Sequence, residues 1–246
     1  MSGDETFAFI ISVVGSIIGW VLWYRMALIK NFTNALPAKS LLWLWPLIML
    51  SLLTIILLHY SADDVRNDIV YLTMYIVMGA AWIVGGMKCM DMLSISARDD
   101  VAERNNPAAL AAVLGAMTGI TLAFAGGNIG NGPGWWVVVI SSGIATISLM
   151  LSWVFINIIA PVADNIAIDR DTSCGWRMGI VLACIGVIAA RGAAGDWVSV
   201  NATISDFWIV FWPVVPFLLL ISICEKLIKP RVDDRVLDIF VNGIMP

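Results

Sequence analysis

The sequence predicts an all-α, polytopic membrane protein with seven transmembrane helices, and three observations carry that reading. Of 246 residues, 60% are apolar and only 13% are charged, whereas soluble domains carry about 25% charged residues. Seven apolar stretches reach the roughly 20 residues needed to cross about 30 Å of hydrocarbon. The polar gaps between them are about a dozen residues at most, too short for a soluble domain.

The spans fall at residues 7–29, 41–60, 69–93, 107–129, 135–160, 174–194 and 204–228, within a single transmembrane domain covering 1–246. The first follows an acidic stretch, residues 1–6, with no basic region ahead of it, so it is expected to stay in the mature chain. The third begins after Asp68, the fourth on Pro107, the fifth between Gly134 and Pro161, and the sixth ends before Gly195; Pro, Gly and Asp end helices or favour turns. Beyond Pro230 the tail 230–246 places Val232, Val236, Ile239 and Phe240 on one helical side and Asp233, Asp234 and Asp238 on the other. That pattern predicts a short amphipathic helix on the membrane surface.

Short loops rich in Lys and Arg stay cytoplasmic. With the N-terminus outside, twelve of the fourteen basic residues fall inside and only Arg66 and Arg191 remain outside, so the expected orientation is N-out, C-in. The net charge of −4 argues against nucleic acid as a partner. Cys89, Cys174, Cys184 and Cys224 show neither a CxxC pair nor a metal spacing and are expected to be free thiols. Most of the twelve tryptophans, Trp153 among them, lie near predicted helix ends, the position of an interfacial belt.

The fourth and sixth spans run the same way and have similar approaches. Glu103-Arg104 precedes one and Asp169-Arg170 the other, 66 residues apart. We therefore expect one leading helix followed by three parallel hairpins, made of spans two and three, four and five, and six and seven.

The run from Val101 to Leu110, with small residues onward to Gly115 and Gly119 and a second copy from Ile166 to Gly179, resembles the YjfL-type family of small bacterial inner-membrane proteins. In that family a charged residue, then Gly-Asn and an alanine-rich helix, open each of two hairpins; here Asn105 stands in place of the glycine. The resemblance covers about residues 94–229. It implies a bacterial cytoplasmic membrane and no established activity.

Candidate sites are sparse. Ala111, Gly115, Gly119, Ala123 and Gly127 recur every fourth position of span four, a stripe that lets another helix approach closely. It serves either packing within the chain or a subunit interface. Arg177 and Arg191 share a face of span six, either snorkelling to the headgroups or flanking a polar path. On the second reading Asn157 or Asp171 meets Arg177, and Asp206 or Asp196 meets Arg191. The glycine-rich loop 126–134, with Asn128 and Asn131, forms a compact outer turn or a binding loop that presents backbone groups to a ligand. His59 is the only histidine, and no Gly-x-Ser-x-Gly, HExxH or mid-membrane Asp pair appears. The expectation is a non-enzymatic membrane subunit or scaffold without cofactor, self-associating through span four or anchoring other membrane subunits. The alternative is a channel or small-solute transporter lined by the sixth helix.

Overall fold

In the computed structural model, residues 1–28 and 37–228 are described; the amphipathic helix expected over 230–246 lies outside them. The described residues are helical throughout, with short connections. The helices are α1 (Gly3–Ala27), α2 (Pro37–Tyr60), a short α3 (Asp63–Arg66), α4 (Ile69–Met92), the π-helix η1 (Ala97–Glu103), α5 (Pro107–Gly126), α6 (Trp135–Ile159), a short α7 (Val162–Ala167), α8 (Thr172–Ala193), α9 (Val200–Phe211) and α10 (Val214–Leu227). Six are long and apolar enough to cross a membrane, and α9 with α10, bent by 46°, makes a seventh if taken as one span.

Local chemistry sets the ends. Ser2 and Glu5 close a capping box on α1, which satisfies orphan N–H groups of the first turn. Asp68 caps α4, Asn106 caps α5, Asp171 caps α8 and Ser199 caps α9. The seventh span is broken rather than continuous because Pro213 falls inside it. Proline has no N–H to donate, and its ring clashes with the carbonyl four residues earlier. The approaches before spans four and six, expected as polar loops, form η1 and α7 instead.

The bundle is centred on α5, 89% of whose membrane window is buried, with α2, α4, α6 and α8 packed around it. The outermost span is α1, with 17% buried; Phe7, Ile10, Ile11, Ile17 and Ile18 are exposed. A broad apolar exterior of this kind is a surface for lipid. The tryptophans do more than mark an interface. Trp153 is fully buried and donates to the Leu93 carbonyl at 2.8 Å, Trp20 donates to Ala80, Trp23 to Leu42, and Trp45 to Leu114. Each indole N–H thus finds an acceptor on a neighbouring segment, as it must where no water is at hand.

Candidate functional site

The two approach segments are copies. Asn105 and Arg170 take left-handed backbone conformations, with φ of 51° and 55°. The next residue, Asn106 or Asp171, donates its backbone N–H to the carbonyl six residues earlier, Asp100 or Asn165. The register of the copy is 65 residues, one fewer than the spacing of the Arg104 and Arg170 side chains suggests. The copies also clasp one another: the Asn106 amide donates to the Ile166 carbonyl at 2.7 Å, and Arg170 donates to the Arg104 and Asn105 carbonyls at 3.1 and 2.7 Å.

At the other end of α5 and α8 the two following turns pair, and Gly130 and Gly195, 65 residues apart, both take positive φ. Gly195 donates to the Ile129 carbonyl and Trp197 to that of Asn131. The backbone N–H and side-chain amide of Asn131 both donate to Asp196 Oδ1, at 2.7 and 3.0 Å. Gly130, at φ 116°, rests against the Gly195 carbonyl, a conformation that L-residues avoid and that leaves no room for a side chain.

Between these clasps α5 and α8 run parallel in backbone contact. A Cβ on Gly115 would overlap the backbone of Gly179, one on Gly179 the Ala111 carbonyl, and one on Gly186 the backbone of Gly119. Ala111 and Ala123 are buried, and Gly127 abuts Ser142 of α6. The stripe on span four is therefore occupied by helices of its own chain. The expectation of a subunit interface there is corrected, because no surface of the stripe is left for a second copy.

The four residues of the expected polar path do not converge. Arg177 binds Glu225 of α10 through two hydrogen bonds, at 2.5 and 2.8 Å, rather than Asn157; the Asp171 carboxylate acts on it by charge as well. Asn157 instead donates to the Trp153 carbonyl and accepts from Ala163 N–H, holding the start of α7. Arg191 and Asp206 are both exposed, and among the described residues no ion pair joins them. Asp196, the other acid considered for Arg191, is engaged by Asn131.

Polar side chains also gather around a cavity of about 260 Å³ beneath the glycine-rich turn. Its walls come from the first turn of α1 with Glu5, α3 with Asp64, the start of α4 with Tyr71 and Tyr75, and the start of α6 with Ser141; the turn itself adds Asn128 and Asn131. Tyr71 donates to Glu5 at 3.1 Å. Asn128 is buried and donates to the Phe124 carbonyl at 2.7 Å. Sequence reasoning found the two asparagines but missed Glu5, Asp64, Tyr71, Tyr75 and Ser141. The available signal was the four-residue spacing of Tyr71 and Tyr75, which places both on one face of a helix. No cluster of three or more His, Cys, Asp or Glu that could hold a metal exists among the described residues.

Fold and sites together define a polytopic helical membrane protein whose central helices are an internal duplication. Residues 63–193, just over half of the chain, match the family described as Domain of Unknown Function (DUF350), and the chain belongs to that family. The match begins with the first residue of α3 and ends with the last of α8, so it contains both approach segments, both capped helices and the turn between them. No curated protein and no solved structure matches the chain.

Proposed function

We propose that the chain is a non-enzymatic integral subunit or scaffold of a bacterial cytoplasmic membrane, which assembles with further copies of itself or anchors other membrane subunits. The observation that carries this reading is the closure of α5 on α8. Glycine-to-backbone contacts run from Gly175 against Ala108 to Gly126 against Ala190, and a clasp locks each end. A centre packed in this way suits a rigid platform better than a conduit. Association then falls to the apolar outer faces, α1 foremost. The YjfL-type resemblance supports the bacterial inner membrane. The excess of Lys and Arg at the end bearing η1 and α7 supports that end as the cytoplasmic one.

A path lined by the sixth span has less support, since the small-residue face of α8 is filled by α5 and Arg177 is paired with Glu225. The deciding experiment is native mass spectrometry of the particle extracted gently from its own membrane. A homo-oligomer or a fixed ratio with a second protein is expected. A lone monomer that carries solute flux in reconstituted vesicles would overturn the scaffold reading.

A further inference from the structure

We propose that the cavity beneath the glycine-rich turn binds a small organic cation of the alkylammonium class, a role that goes beyond the scaffold reading and does not depend on it. Tyr75 is 6% exposed and Ser141 4%; both residues line the cavity, and among the described residues neither hydroxyl has a hydrogen-bond partner. Asn128, 6% exposed, uses its amide N–H toward Phe124 and leaves its side-chain oxygen free. None of the three atoms is sealed off, since Asn105 Oδ1 is the one buried side-chain N or O without a partner among the described residues. All three residues line the same cavity, and their unused donor and acceptor capacity suits an occupant that hydrogen-bonds.

Charge fixes the sign of that occupant. Glu5 and Asp64 stand in the wall, and no Lys, Arg or His lines it. An anion would meet two carboxylates and no compensating charge, whereas a cation is favoured by both. Size and lining then set the class. Two carboxylates are too few for a dehydrated divalent ion, which takes six or more oxygen ligands in the case of calcium, and about 260 Å³ is far more than a bare ion fills. Val137 and Val138 supply apolar wall beside the hydroxyls. An ammonium head can donate to Ser141 Oγ, the Asn128 oxygen and the Tyr75 oxygen, and lie near the Tyr71 and Tyr75 rings, while a short alkyl part meets the valines.

The test uses the full-length protein in detergent, with binding followed by calorimetry and thermal stability. Propylammonium chloride is compared with sodium chloride at equal ionic strength and with calcium chloride. Saturable binding of propylammonium is expected, with a rise in melting temperature that follows ligand concentration. Tyr75→Phe removes a hydroxyl with no partner in the fold, so the melting temperature without ligand should stay level or rise, while affinity falls about tenfold, the worth of one well-made hydrogen bond. Ser141→Ala should weaken binding in the same direction. Three results would overturn the proposal: no saturation with propylammonium, which leaves a water-filled cavity; a response to calcium alone; or unchanged affinity in both Tyr75→Phe and Ser141→Ala.

Discussion

Asn106 and Asp171, 65 residues apart, cap α5 and α8 in the same way, each directly after a residue in the left-handed conformation. The Asn106 oxygen accepts from the N–H groups of Ala108 and Ala109, and the Asp171 carboxylate accepts from that of Cys174. The two copies are not independent, because the Asn106 amide N–H crosses to the Ile166 carbonyl of the second copy. Duplication and clasp therefore meet in one side chain.

That double duty predicts unequal costs. Ser199→Ala, at the start of α9, removes the bond from Ala202 N–H and nothing else of the side chain, a cap worth about 1 kcal/mol. Asn106→Ala removes a cap and also strands the buried Ile166 carbonyl, adding roughly 1–3 kcal/mol. Thermal melts of the solubilised protein, followed by circular dichroism at 222 nm, should show the larger drop for Asn106→Ala. Equal drops would mean that the bond to Ile166 contributes nothing.

A residue type can announce a helix end, but it does not say which distant segment will meet it. Periodicity and composition made the spans legible, and Asp, Asn and Pro marked several of their starts. The stripe from Ala111 to Gly127 was equally legible as a surface for close approach. Its occupant was not, since the matching glycines of α8 lie more than 60 residues away. For the same reason nothing local marked Glu225, 48 residues away, as the partner of Arg177. The cavity assembles side chains from four helices and a turn, and no local pattern carries such an arrangement. The break in span seven was different, because Pro213 stood in plain view and only its consequence had to be drawn.

Close packing of α5 on α8 makes a sharp distinction between glycines. Gly179→Ala drives a methyl group into the Ala111 carbonyl, so the helices must separate, at a cost of about 1–3 kcal/mol or more. Gly85→Ala meets nothing within 4 Å and replaces a poor helix former, so its stability should hold or improve slightly. Size-exclusion profiles and melts of the two variants check this. A Gly179→Ala protein as stable as the parent would show that the pair is looser than its geometry.

Arg177 and Glu225 tie α8 to α10. Glu225 is 4% exposed while Arg177 keeps 35% of its side-chain surface open. Removing one partner of a fully buried pair costs about 3–5 kcal/mol; with Arg177 partly exposed, about 2 kcal/mol is expected for Glu225→Leu. The double variant Arg177→Leu/Glu225→Leu should recover much of that loss, since it leaves no unpaired charge beside α10. A double variant that adds the two single losses would mean that the groups act separately.

Asp100, in η1 and outside the spans, supplies a pH dependence. Burial raises its carboxyl above the usual range, although Ser96 N–H and Arg104 donate to it at 3.2 Å and oppose the shift. A carboxyl with a raised native pKa binds its proton more tightly in the fold than in the unfolded chain. Its ionisation therefore costs stability above the native pKa, and that cost is relieved as pH falls from there toward about 3.9, the ordinary aspartate value. Asp100→Asn keeps the shape and an acceptor oxygen but does not titrate. Measured against this variant, the wild-type protein should gain stability as pH is lowered through that window and change no further below it. A difference that stays flat with pH, or that grows in the opposite direction, would show that Arg104 and the Ser96 N–H outweigh burial at this carboxylate.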